Sequence, residues 1–246
     1  MKTPNLNPPN HDLFDAWTEA SAYILGFWYT DGGLELDKKP SGNYKVVAIY
    51  NTDLESLIAV QRVTGGNIIT KTPKNHKYKI FHTLRIYSDK LWDFLYNAVL
   101  TTHKSDGNSF RMDSVPTEFF SHFVRGCFDG DGSIFYKHYK NRHGKTTSEL
   151  NTSFTAGNLC NQFLVDLQNR LLLFISVKIK KISGRASRKL AYNQYDSGLL
   201  CEWMYENANM FMKRKKLIWD TADKARILGS RKYFNAKSKT NRGLGQ

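Results

Sequence analysis

Cysteine is scarce in this 246-residue chain, and its pattern excludes pairing chemistry. The three cysteines, Cys127, Cys160 and Cys201, lie far apart, are odd in number and include no C-x-x-C pair. Neither a disulfide framework nor a cysteine-built zinc site is therefore expected. Long apolar runs are also missing. Stretches such as Tyr23 to Tyr29 and Leu171 to Val177 fall far short of the ~20 residues a bilayer helix needs, so no membrane partner is expected. No charged segment leads into an apolar one at the N-terminus, which points to an intracellular, reduced, unsecreted protein. Histidines number seven and, His138 and His143 apart, form no cluster at metal-ligand spacing; those two read as loop residues. Acids are outnumbered, 22 Asp and Glu against 36 Lys and Arg.

What is present starts with that imbalance. A formal net charge of +14 calls for a polyanionic partner, with nucleic acid ahead of an acidic membrane surface. Residues 211–246 hold eleven Lys and Arg against two Asp, so much of the excess sits at the C-terminal end. Apolar residues at 41% and aromatics at 13% suffice for a packed core.

Two segments resemble each other. Tyr23-Ile-Leu-Gly-Phe-Trp-Tyr-Thr-Asp-Gly-Gly33 and Phe123-Val-Arg-Gly-Cys-Phe-Asp-Gly-Asp-Gly-Ser133 are each an apolar helical stretch with a glycine, closed by Asp-Gly. Superimposing Gly26 on Gly126 puts Asp31 on Asp131, an offset of 100 residues. The stretches downstream of the two segments match as well. After Asp31 the patterning predicts strands at 34–38 and 44–50, a helix at 53–63, strands near 67–72 and 77–87, and a helix at 89–99. After Asp131 it predicts strands at 133–139 and 149–155, a helix at 159–173, strands near 176–182 and 188–195, and a helix at 197–209. The fold class is α+β, an αββαββα unit used twice, a duplicated domain rather than a solenoid. The expected divisions are an N-terminal half at 12–100, a linker at 101–115, a C-terminal half at 116–228 and a basic tail at 229–246. Pro116 suits the first turn of the second motif helix.

The strand over Lys77 to Ser88 alternates. Tyr78, Ile80, His82, Leu84 and Ile86 form one face, and Lys79, Phe81, Thr83, Arg85 and Tyr87 the other. Lys178 and Lys180 alternate with Val177 and Ile179, and Arg188, Lys189, Asn193 and Gln194 come next. Arg, Lys, Asn and Gln are the side chains that read purine edges in the major groove. Two antiparallel four-stranded sheets with this residue choice, in so basic a chain, predict a saddle that faces DNA.

Within the motifs, Gly26 and Thr30, and Gly126 and Gly130, lie four apart on one helical face, a spacing that lets two helix backbones approach closely at the centre. Glycine within a helix costs about 1 kcal/mol relative to alanine, and close packing supplies the reason to keep it. Asp31 and Asp131 then fall at helix C-termini, where the dipole disfavours a carboxylate. Two such carboxylates converging at a seam predict a cation between them, and Mg2+ commonly takes one or two protein carboxylates plus water and phosphate oxygens. A lone Asp-Gly would merely turn a hairpin. An EF-hand fails, because Ile134 stands where that loop needs glycine and Lys140 where it needs glutamate.

Ile24-Leu-Gly-Phe-Trp-Tyr-Thr-Asp-Gly32 and Val124-Arg-Gly-Cys-Phe-Asp-Gly-Asp-Gly132 resemble the two motif copies of the LAGLIDADG homing endonucleases of the monomeric, two-motif type. The first copy departs in Tyr29, where an acid is common, and in Thr30, where alanine or glycine is usual. The resemblance spans about Asp12 to Ile227. It implies a staggered double-strand cut in a long asymmetric DNA target. The metal would be Mg2+, with Mn2+ substituting and Ca2+ binding without supporting cleavage. Asp31, Gly32, Asp131 and Gly132 would lie at the metals, and Lys104 and Lys215 would be the basic residues near the scissile phosphates. A water-organising polar residue near the end of the second strand would be Asn51 in one half and Asn158 in the other. The strands would bring Lys45, Lys79, Thr83, Arg85, Tyr87, Lys137, Lys178, Lys180, Arg188, Lys189, Asn193 and Gln194 to DNA. Such a protein acts as a monomer in a bacterial or phage cytoplasm or is encoded in an organelle. The alternatives are an intron maturase, whose partner is intron RNA, and a DNA-binding regulator that does not cut. The start at Met1 and the absence of a C-terminal His-Asn pair favour a free-standing protein over an intein.

Overall fold

Thr18 opens the first helix with a capping box: its hydroxyl accepts the Ser21 N–H at 3.0 Å, and Ser21 Oγ accepts the Thr18 N–H at 2.8 Å. The helix α1, Glu19–Asp31, is buried without a break from Ser21 to Tyr29. A helix apolar around its whole circumference belongs at the centre of a fold rather than on its surface. Its partner α4, Phe120–Asp131, is buried from Phe123 to Asp129, and the two pack side by side. The computed structural model describes residues 7–73, 75, 79–99, 110–140, 143–157, 161–185 and 187–229.

Each central helix runs straight into a strand. After α1 come β1 (Gly32–Lys39), β2 (Gly42–Asn51), α2 (Leu54–Thr64), β3 (Asn67–Lys71), β4 (Phe81–Tyr87) and α3 (Asp89–Val99). After α4 come β5 (Gly132–Lys140), β6 (Thr146–Gly157), α5 (Asn161–Leu171), β7 (Ser187–Asn193), α6 (Tyr195–Tyr205) and α7 (Lys213–Asp220). The linker segment 101–109, and with it Lys104, lies outside the described residues, as do Cys160 and the tail 230–246. Pro116 precedes a short 3-10 turn, Thr117–Phe119, which leads into α4.

The first sheet is antiparallel in the order β1-β2-β4-β3, and the second in the order β5-β6-β7. Their registers coincide. Gly32 pairs Ile49, which pairs Leu84; Gly132 pairs Phe154, which pairs Leu190. Each sheet turns its apolar face to the helices, and one continuous core joins Val47, Ile49, Leu84 and Ile86 to Leu150, Phe154 and Leu190 through α1 and α4.

Among the described residues the second sheet has three strands where four are expected. Residues 176–182 form no ladder, and Ser183–Lys189 is an isolated bridge. The reason is Gln168 on α5. Its side chain accepts the Lys180 N–H at 2.6 Å and donates to the Lys180 carbonyl at 3.2 Å, taking groups that a strand would offer its neighbour. The helix expected at 197–209 runs instead over Tyr195–Tyr205, and α7 is an addition that the patterning does not signal. No helix among the described residues is long and apolar enough to cross a membrane.

Candidate functional site

The glycines of the motifs lie in the seam between α1 and α4. A Cβ on Gly26 would stand 2.1 Å from the Phe123 carbonyl oxygen, and one on Gly126 would stand 2.1 Å from that of Tyr23. One turn on, Gly130 fits against Thr30, whose hydroxyl would meet an added Cβ at 1.9 Å. Thr30 spends that hydroxyl on the Phe27 carbonyl, 3.0 Å away. The two helices thus stay in close contact up to their C-termini, through main chain at Gly26 and Gly126 and through the Thr30 side chain at Gly130, and Asp31 and Asp131 are the last helical residues. Gly130 is also against Asp31, whose Cγ would lie 3.2 Å from an added Cβ. Gly32 and Gly132 leave no room for a side chain, because Trp28 covers the first and Phe128 the second.

Asp31 is held from the first sheet. Asn51, at the end of β2, donates its amide N–H to Asp31 Oδ2 at 2.5 Å and accepts the Asp53 N–H at 2.8 Å. Asp53 in turn caps α2, accepting the Ser56 N–H at 3.1 Å. The carboxylate is therefore tied through one amide to a helix N-terminus. In the shared register the second-half counterpart of Asn51 is Ala156, not Asn158, which lies outside the described residues.

Lys215 is not at the surface. It is 2% exposed, and its ammonium donates to the carbonyl oxygens of Phe128 (2.5 Å), Asp129 (2.8 Å) and Gly132 (2.6 Å). These carbonyls lie at and just beyond the C-terminal end of α4, so the lysine caps that helix with a positive charge where the dipole favours one. Burial lowers its pKa to about 8 against the opposing pull of Asp129; Arg214 lowers it further, whereas Asp31 and Asp131 also raise it. Beneath it lies buried Asp129, whose Oδ2 accepts from the Tyr23 hydroxyl (2.9 Å) and the Met212 N–H (2.7 Å). Burial raises the Asp129 pKa despite the nearby Lys215 ammonium.

Arg125, fully buried in α4, donates to the carbonyls of Met210 (2.7 Å) and Met204 (2.6 Å) and to Glu19 (2.8 Å). Glu19 also accepts the Asn209 N–H and side-chain amide, both at 2.6 Å. The segment carrying Lys215 is thereby anchored to the start of α1. Sequence reasoning missed this anchor and the burial of Lys215; Met212-Lys-Arg-Lys-Lys216 reads as a basic cluster, with no local sign that one lysine turns inward.

The donors at the seam are oxygens, which suit Mg2+ or Ca2+ and not a soft metal. No group of three or more His, Cys, Asp or Glu forms a metal cage among the described residues. Two carboxylates completed by water and phosphate fit Mg2+. The Gly132 carbonyl, expected at the metal, already accepts from Lys215.

Away from the helices, the sheets present open faces. Arg85, Thr83 and Tyr87 share one with Glu35, Asp37 and Tyr50. Arg85 is paired to Glu35 (3.1 Å) and Asp37 (3.5 Å), and Tyr87 donates to Asp37 at 2.6 Å. On the second sheet Lys137, Lys189 and Asn193 share the open face with Asn151 and Thr155. Lys79 and Lys178 are exposed outside the strands. Four expected DNA contacts are committed elsewhere. Lys45 pairs across from Leu36 on the helix-facing side, where it meets Asp93 of α3 and lies over the Trp92 ring at 4.8 Å. Arg188 donates to Asn161 Oδ1 of α5 at 3.0 Å and to the Gly184 carbonyl at 2.9 Å. Lys180 pairs with Asp196 at 2.9 Å. Gln194 accepts the Leu150 N–H through its side chain at 3.1 Å. In each case a polar group from a neighbouring element claims the side chain.

No protein-family profile matches the chain, and no curated protein does. Solved structures do. The meganuclease I-SmaMI, bound to an uncleaved DNA target in the presence of calcium ions, is 13% identical with a TM-score of 0.56, covering 94% of this chain and 100% of its own. The LAGLIDADG meganuclease I-CpaMI bound to uncleaved DNA is 13% identical with a TM-score of 0.54, covering 89% of this chain and 97% of its own. The homing endonuclease I-LtrWI bound to target DNA is 12% identical, also at 0.54, covering 82% and 90%. The fold of this chain is that of the LAGLIDADG homing endonucleases.

Proposed function

We propose that this chain, built on the LAGLIDADG homing-endonuclease fold, is a monomeric, site-specific DNA endonuclease that makes a staggered double-strand cut in an asymmetric target. The observation that carries the reading is the convergence of Asp31 and Asp131 at one end of a glycine-packed seam, between two sheets with open polar faces. Two carboxylates brought together at helix C-termini oppose both dipoles, an arrangement of little use to stability and suited to a divalent cation. Asp31 and Asp131 would hold Mg2+ there, and when bound it would supply an activated water and stabilise the leaving oxygen of a phosphodiester.

The chain's own residues do the rest. Asn51 fixes the orientation of Asp31. Lys215 holds the last turn of α4, and so Asp131, in place, and its charge offsets the repulsion between the two carboxylates. Lys137, Lys189 and Asn193 on one sheet, with Thr83, Arg85 and Tyr87 on the other, face a duplex laid along the saddle and read base edges there. Two different halves in one chain suit a target without a palindrome.

The test is cleavage of duplexes enriched from a random library, with wild type set against Asp131→Asn. A staggered cut in Mg2+, absent in Ca2+ and in the variant while binding persists, supports the endonuclease. Tight specific binding with no cut in any metal sinks it and transfers the case to a DNA-binding regulator. Preference for structured intron RNA over duplex DNA indicates a maturase.

A further inference from the structure

One register position carries opposite chemistry on the two sheets. Three residues beyond the glycine that opens each sheet stand Glu35 in β1 and Phe135 in β5. Glu35 pairs across from Val46 and Phe135 across from Asn151, and both side chains lie on the open face. Glu35 accepts from the Tyr50 hydroxyl and pairs with Arg85 at 3.1 Å. The second sheet has no such pair, because the register counterpart of Arg85 is Ala191. A carboxylate and a guanidinium are thus replaced by a phenyl ring and a methyl group.

Phe135 is 44% exposed. Its neighbour Asn151 turns aside, donating its amide N–H to the Glu149 carbonyl at 3.0 Å. Among the described residues of β5, β6 and β7, Phe135 is the one large, wholly apolar side chain on the open face. Around it stand Ser133, Lys137, Asn151 and Asn193, and the Tyr139 ring carries a hydroxyl bonded to Glu149 at 3.0 Å. A single exposed apolar side chain is ordinary on a protein surface. This one stands alone on a polar face that is proposed to meet DNA. A phenyl ring can satisfy no donor or acceptor of a base edge, and covering one with it costs free energy. The major groove offers one apolar group, the C5-methyl of thymine.

We propose that Phe135 is a specificity-determining residue that packs on a pyrimidine C5-methyl group in the half-site under the second sheet. The target therefore carries thymine there, and 5-methylcytosine offers the same methyl. At the matching place under the first sheet the Arg85–Glu35 pair does the reading instead. The inference rests on the endonuclease reading, from which it takes only the placement of DNA against the open faces. One methyl group moved from water to an apolar contact is worth about 3–5-fold in affinity.

In the experiment, duplexes are enriched from a random library by binding in Ca2+, with wild type and with Phe135→Ser. The wild-type target is then rebuilt with uracil in place of one thymine at a time. Wild type should select thymine at a position in one half-site where Phe135→Ser shows no such preference, the other positions matching. Uracil at that position should weaken wild-type binding about 3–5-fold and leave Phe135→Ser unmoved. At the same position 5-methylcytosine should bind wild type about 3–5-fold better than cytosine, which separates the methyl group from the rest of the thymine edge. Phe135→Gln gives the same comparison should the serine variant fail to fold. Wild-type tolerance of uracil at every thymine overturns the inference whatever the variants do. An equal uracil penalty in wild type and a folded variant overturns it too. Binding with this thymine dependence but no cut in any metal removes the endonuclease reading and leaves the contact standing. Cutting of a target indifferent to uracil removes the contact alone, and enrichment of no duplex removes both.

Discussion

Gly26 and Gly126 occupy reciprocal places: each lies against the other helix's main chain at the carbonyl three residues before the opposite glycine, Phe123 for the first and Tyr23 for the second. The approach is fixed by backbone on both sides, so no side chain can rotate out of the way.

Alanine at either position should therefore force the helices apart. Gly26→Ala and Gly126→Ala are each expected to lose about 1–3 kcal/mol in denaturant unfolding. Gly157→Ala, where an added Cβ meets nothing within 4 Å, should stay within about 0.5 kcal/mol of wild type. Indifference at both seam positions would contradict this packing.

Lys215 gives stability an alkaline signature. Its folded pKa, about 8, lies below its ordinary value of 10.5, so between those pH values the unfolded chain binds the proton that the folded chain has shed. Stability contributed at this site should rise as pH increases through that window. Lys215→Met, which takes the ammonium from three carbonyls and removes the cation beside Asp129, should cost about 3–5 kcal/mol and abolish that rise. Unfolding curves of both proteins from pH 7 to 10 measure it.

The Glu19–Arg125 anchor has an acid signature. Burial pushes the Glu19 pKa up, but hydrogen bonds from Asn209 and Met210 and the Arg125 charge outweigh it, and the net shift is downward from 4.5. The stability this group contributes is present above pH 4.5 and is lost as pH falls through the lower folded value. Glu19→Gln should flatten that part of the acid-unfolding profile and loosen the 204–212 segment, read as faster amide exchange there. An unchanged acid profile would remove Glu19 from the anchor.

Sheet faces predict salt dependence. Lys189 points to the open face and Lys45 to α3. Lys189→Ala should reduce the slope of log affinity against log salt by about 1, and Lys45→Ala should leave it nearly unchanged. Binding isotherms at several salt concentrations decide the matter, and the reverse order would mean that the wrong face meets DNA.

Arg85 carries a narrower expectation. Held by Glu35 and Asp37, its guanidinium is preorganised for a base edge. Arg85→Ala should relax preference at one position of the selected target by about 1–3 kcal/mol and leave the others as they were. A target profile that does not change would make the cluster purely structural.

The helix and strand order, the 100-residue repeat and the paired aspartates were legible because they rest on local periodicity and on a motif used twice. So was the glycine spacing, since four residues apart means one face of a helix whatever lies beyond it. Tertiary structure decided the rest. Period-two alternation says that Lys45 and Val46 point to opposite faces, but not which face is covered; pairing with Leu36 and contact with Asp93 turn Lys45 to the helices. The missing fourth strand depended on Gln168 reaching the backbone of Lys180 from another element. Lys215 was one of four adjacent basic residues until the end of α4 offered it three carbonyls. That Asn51 and Ala156 occupy one register position emerged only when both sheets were aligned. Periodicity fixes which side chains share a face, whereas the partners that claim each side chain come from segments tens to more than a hundred residues away and exist only once the chain has folded.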